Sequence, residues 1–148
     1  LIENNIMSNV RTWVVLSDGR YLKILINKGE GKALTILNAD DLPAYAELGY
    51  LMVNGKPLNG TGDSAVSKKI DNIQCQIDFL AEHHKLDMFD LLAIAAPADV
   101  LTKFKKALPE QLTKLMIGEI AEDLTVDTNS EIENRFADIV LAGIEKAS

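Results

Sequence analysis

Three carboxylates, Asp18, Glu122 and Asp123, have the residue type and placement for chemistry. Each follows a short apolar run that reads as a strand, so each stands at a strand end. Carboxylates gathered at strand ends can hold divalent ions, because hard cations need several oxygen ligands, and paired ions drive phosphodiester hydrolysis. One reading of the chain is therefore a metal-dependent hydrolase or nuclease using Asp18, Glu122 and Asp123. Two points weigh against it. Asp18 opens the run Asp18-Gly19-Arg20, where a tight turn already accounts for an aspartate. The helical segment that begins near residue 63 offers no acidic residue on its inner stripe to serve as a further ligand. The preferred reading assigns no catalytic residue, no metal and no cofactor.

The remaining polar candidates point to binding. Arg20 sits where a rigid hairpin would present its guanidinium to a phosphate or carboxylate. Asn59, Gly60 and Gly62 lie in a loop ahead of a helix start, where backbone N–H groups can meet an anion. That loop lacks the Lys-Ser/Thr pair of a nucleotide-binding phosphate loop. Lys103 and Lys106, with Lys105 and Lys114 nearby, form the chain's nearest approach to a basic patch. His83 and His84 are neighbours on a helix, about 100° apart, and cannot converge on one metal. The spacing puts His84 on the apolar stripe and His83 on the opposite side. The single cysteine, Cys75, lies beside that stripe with no histidine or asparagine at motif spacing, and it excludes an internal disulfide. Trp13 lies in a valine-rich strand and reads as core.

These side chains are carried by a simple order of elements. Residues 12–16 (TWVVL), 21–26 (YLKILI) and 33–37 (ALTIL) read as three strands separated by glycine turns, an antiparallel meander. Residues 40–48 fit a short helix, and 50–53 a strand ended by Asn54-Gly55. From residue 63 or 64 a helix carries the stripe Val66, Ile70, Ile73, Ile77, Leu80 and His84, with Gln76 among its outward residues. Residues 89–95 (FDLLAIA) are apolar nearly throughout, as a strand covered on both faces should be. Pro97 opens a helix whose inner face is Val100, Leu101, Phe104 and Leu108. Leu108-Pro109 ends it, 109–113 make a short helical turn, and 115–120 (LMIGEI) form a strand. Ser130-Glu131-Ile132-Glu133 has the form of a capping box opening a last helix, with Ile132, Phe136, Ile139, Val140 and Gly143 or Ile144 inside. Strands in a meander, followed by alternating helix and strand, imply an α/β fold: a mixed β-sheet with helices on both faces, of the ribonuclease-H-like kind.

At 148 residues the chain is long enough for one domain with a full core. Residues 11–148 are read as that domain and 1–10 as a disordered or extraneous tail, with Met7 a plausible start. No apolar run approaches the roughly 20 residues of a membrane span, and the first residues lack a signal pattern, so a cytoplasmic protein is expected. A net charge of −7 argues against general nucleic-acid binding, which draws on phosphate neutralisation.

Three features carry a resemblance. They are the strand–Asp-Gly-Arg–strand hairpin over residues 13–26, the strand followed by Ala96-Pro97, Leu101, Phe104 and Leu108-Pro109, and the strand 115–120 followed by Asp123-Leu124-Thr125. Together they resemble bacterial proteins related to the middle domain of archaeal and eukaryotic peptide-chain release factors, in particular the family named host attachment protein. The resemblance implies a five- or six-stranded mixed sheet flanked by helices and a link to translation or the ribosome. In true release factors a Gly-Gly-Gln loop before the long helix performs hydrolysis; here that place holds Asn59-Gly60-Thr61-Gly62. Many host attachment members carry a long basic insertion there, and this chain has a short neutral loop. The expected function is thus a non-catalytic binding domain with a protein or ribosome partner. A self-associating interaction module, a homo-oligomer, is a further alternative.

Overall fold

The computed structural model describes residues 10–20, 22–37, 52–53, 56–57 and 73–147. Its centre is a five-stranded mixed sheet in the order β3-β2-β1-β6-β7. The strands are β1 (Thr12–Ser17), β2 (Leu22–Asn27), β3 (Thr35–Ile36), β6 (Leu91–Ala95) and β7 (Met116–Ile120). A separate two-stranded pair joins β4 (Met52–Val53) to β5 (Lys56–Pro57). β2 lies antiparallel to β1 and to β3, and the run β1-β6-β7 is parallel. The mixed α/β sheet expected from the sequence is therefore what the chain forms. All six residues of β1 are buried, which explains the lack of alternation in TWVVLS: the strand is central and covered on both faces.

Turn chemistry sets the meander. Gly19 has φ +95°, a conformation that glycine adopts without steric cost. A Cβ there would also stand 3.2 Å from Val100 Cγ2, so the β1–β2 turn lies tight against a helix. Asp18 Oδ1 accepts the Arg20 N–H at 2.8 Å, the local bond that favours aspartate in turns. The next turn is organised by Asn27, a buried residue whose amide donates to the carbonyls of Gly31 and Ala33 and whose oxygen accepts the Gly29 N–H.

Among the described residues the helices are α1 (Ile73–Lys85), α2 (Ala98–Ala107), the single turn α3 (Glu110–Thr113) and α4 (Asn129–Ala147). Helices α1, α2 and α3 cover one face of the sheet, over a core that includes Trp13, Ile24, Phe79, Leu92, Phe104 and Leu112. α4 covers the other face, where Ile132, Phe136 and Val140 meet Val14, Leu16, Leu25 and Ala93. Its approach to β7 is close, since a Cβ on Gly118 would lie 2.8 Å from Ile139 and one on Gly143 would lie 2.7 Å from Ile117. A bulge interrupts the β6–β7 register between Leu92 and Ala93. None of the described helices is long and apolar enough to cross a membrane.

Several local expectations are corrected. His83, not His84, is the fully buried histidine of α1, and Gln76 is buried as well rather than facing outward. The capping box is Thr128 with Glu131. Thr128 Oγ1 accepts the Glu131 N–H at 3.2 Å, and Glu131 Oε1 accepts the Thr128 N–H at 2.9 Å. Ser130 already lies inside the helix. The third strand is shorter than 33–37, and β6 starts at Leu91 rather than Phe89. The helix expected over 40–48 and the start of the long helix near residue 63 lie outside the described residues.

Candidate functional site

The parallel run brings three strand ends to one edge of the sheet. Leu16 is in register with Ala95, and Ala95 with Ile120, so β1, β6 and β7 finish side by side. In open α/β sheets the crevice beyond these carboxyl ends is the usual place for a ligand. The turn bearing Asp18 and Arg20 leaves β1 at this edge, α2 starts here after Pro97, and Glu122 and Asp123 leave β7 here.

Topology thus brings the three carboxylates to one edge, with Asp18 on one side and Glu122 and Asp123 on the other. β6 separates β1 from β7, which puts their ends about 9.5 Å apart at two strand spacings. Each carboxylate is also engaged locally. Asp18 bonds the Arg20 N–H. Glu122 receives Arg135, through Nη1 at 3.2 Å and through Nη2, and these bonds, with the guanidinium charge, hold its carboxyl below the usual range. Asp123 Oδ1 accepts from the Thr125 N–H at 2.9 Å and from its hydroxyl at 2.6 Å. Among the described residues, no group of three or more His, Cys, Asp or Glu side chains is placed to hold a metal ion.

Beneath the edge lies a buried polar pair that the sequence reading missed. Ser17 Oγ donates to Gln76 Oε1 at 2.8 Å and accepts the Gly19 N–H at 3.0 Å. Both side chains are fully buried. α1 is therefore fastened to the turn that presents Asp18 and Arg20. On the other face, Lys23 is only 6% exposed, and burial lowers its pKa, partly offset by the charge of Asp127. Its ammonium donates to the Asp127 carbonyl at 3.4 Å, tethering the β7–α4 loop to β2.

Residues 71–136 match the family model of bacterial archaeo-eukaryotic release factor family 12. The release-factor relationship implied by the motifs therefore holds over that stretch. It runs from α1 through β6, α2, α3 and β7 into α4, while the Asp18–Arg20 turn precedes it. The family's description does not speak of host attachment. No curated protein and no solved structure matches the chain.

Lys103 and Lys106 lie inside this release-factor-related segment, on the exposed surface of α2. Three residues apart, they share a helix face, and among the described residues neither forms an ion pair. Lys105 points elsewhere and bonds Glu119 at 3.0 Å. That pair borders a depression of about 220 Å³ lined also by Leu108, Thr113 and Met116. α2 begins at the carboxyl edge and runs away from it, so Lys106 stands roughly 12 Å along the helix from Ala98 at 1.5 Å per residue. The two lysines and the Asp18–Arg20 turn are separate features. Asn59, Gly60 and Gly62 lie outside the described residues.

The buried polar groups left no usable trace in the sequence. Ser17 and Gln76 are 59 residues apart, so no local pattern links them. A serine ending an apolar strand and a glutamine beside an apolar stripe are the weak signals that could have drawn attention to them.

Proposed function

We propose that this chain is a release-factor-related binding domain that associates with the ribosome and carries out no hydrolysis of its own. The observation that carries the reading is the family match over residues 71–136. Two further points support it. The sequence contains no Gly-Gly-Gln, the motif with which release factors hydrolyse their substrate. The matched segment also exposes Lys103 and Lys106 on one helix face. On a chain of net charge −7, such a pair gives a local cationic contact for ribosomal phosphates without general nucleic-acid affinity. Ribosome association places the protein in the cytoplasm.

The test is co-sedimentation with 70S ribosomes at moderate salt. The full chain is expected in the ribosomal fractions, with retention falling as salt is raised. The double variant Lys103→Glu, Lys106→Glu should bind less and show a shallower salt dependence, because fewer counterions are released. Both side chains are exposed, so the variant should stay folded, with at most a small loss from removing a cation at the last turn of α2. Absence of the parent protein from the ribosomal fractions at low salt overturns the proposal.

A further inference from the structure

We propose that His83 makes the docking of α1 on the sheet proton-sensitive, and that this sensitivity reaches the Asp18–Arg20 turn at the other end of the helix. The inference rests on the buried polar groups of α1 and does not depend on ribosome binding.

His83 is fully buried. Its Nδ1 lies 2.9 Å from the Phe79 carbonyl oxygen. A carbonyl only accepts, so Nδ1 carries the hydrogen and Nε2 of the neutral ring is a lone-pair acceptor. Nε2 is buried and has no hydrogen-bond partner. The ring is packed against Phe79 at 4.0 Å and Trp13 at 6.0 Å between centroids. A second proton must go to Nε2. It would create a buried cation whose new N–H meets no acceptor.

Little around the ring compensates that charge. α1 contributes Glu82, His84 and Lys85, the residue leading into β1 is Arg11, and the turn before β6 contributes Asp87 and Asp90. The two aspartates are engaged by Arg11 rather than by the imidazole. β6 is LLAIA and has no charge to offer. Burial lowers the pKa of His83, only partly offset by the Phe79 carbonyl and Glu82. Proton uptake therefore favours states in which the ring reaches water, and these require the last turns of α1 to lift from Trp13.

The same helix holds Gln76 seven residues upstream, about 10 Å along its axis. Gln76 accepts from Ser17, and Ser17 in turn accepts the Gly19 N–H. Lifting α1 loosens that chain of bonds and with it the turn bearing Asp18 and Arg20. A histidine whose folded pKa is depressed favours the folded state fully above its unfolded pKa. That advantage is lost progressively as pH falls below about 6.5.

The experiment uses the full chain and its histidine variants. In the folded protein, the His83 ring should remain neutral by NMR as pH falls below about 6.5, the ordinary histidine value. Amide exchange in α1 and at Gly19, corrected for intrinsic rates, should accelerate by up to about tenfold per pH unit below about 6.5. Emission from Trp13, the sole tryptophan, should shift over the same range. His83→Gln keeps a donor for the Phe79 carbonyl but cannot titrate, and should abolish the response; His83→Phe provides a second non-titrating ring. His84→Gln should retain the response. The proposal is overturned if His83 titrates at an ordinary value in the folded chain, or if His83→Gln responds as the parent does. Faster exchange in α1 with Gly19 unchanged overturns the coupling to the turn.

Discussion

Arg11 ties the start of β1 to the turn before β6. Its Nε and Nη2 meet the two oxygens of Asp90 at 3.1 and 3.2 Å, and Nη2 also reaches Asp87 Oδ1 at 3.0 Å. Its carbonyl accepts the Asp90 and Leu91 N–H groups. The clamp steadies Asp87, which has φ +59° in the left-handed region that aspartate tolerates better than most residues. Partial burial opposes ionisation of Asp90, but the hydrogen bonds and charge of Arg11 outweigh it and hold the carboxyl below its ordinary value. The resulting stabilisation is present above the unfolded pKa of about 3.9 and is lost as pH falls through the lower folded value. Asp90→Asn should therefore lower stability by about 1 kcal/mol or less near neutral pH, and urea titrations should show the gap closing in acid. None of this was legible beforehand, because Arg11 and Asp90 stand 79 residues apart. The histidines failed differently. Steps of three and four along a helix admit either His83 or His84 to the inner arc, and the choice was made by a distant ring, Trp13.

At the scale of elements, α4 and β7 form a close joint on the molecule's second face. Gly143→Ala would set a Cβ 2.7 Å from Ile117 Cδ1 and 3.2 Å from Leu91 Cδ1. Both neighbours are ends of flexible side chains, and alanine regains about 1 kcal/mol of helix propensity, so the net cost should be about 0–2 kcal/mol rather than loss of the fold. Thermal melting of the variant beside the parent measures it. A midpoint raised by the full helix-propensity gain would mean that the joint has slack. The stripe ending at Gly143 or Ile144 was readable from spacing alone, because a long helix repeats its pattern often enough to fix its inner face. The start of α4 was harder. Thr128 to Glu131 and Ser130 to Glu133 both match the capping pattern, and only the backbone reveals which residue stands outside the first turn.

At the scale of the whole molecule, the segment matched by the family model is not expected to fold by itself. Its first strand, β6, pairs with β1, which lies outside residues 71–136, and the segment stops before Ile139, Val140 and Ile144 on α4. A fragment of residues 71–136 should therefore show no cooperative melt by circular dichroism, whereas the full chain should. The sheet and its helices were legible because β6 is apolar on both faces and the meander is punctuated by glycines. The carboxyl edge was less so, because strand order decides which loops become neighbours and no local signal encodes it. The other margin of the sheet has a consequence for behaviour in solution. Among the described residues β7 is an outermost strand, yet it is bulged in its pairing with β6 and carries Glu119 tied to Lys105. Kinked and charged edges are poor templates for another strand. Edge-to-edge aggregation along β7 is thereby disfavoured.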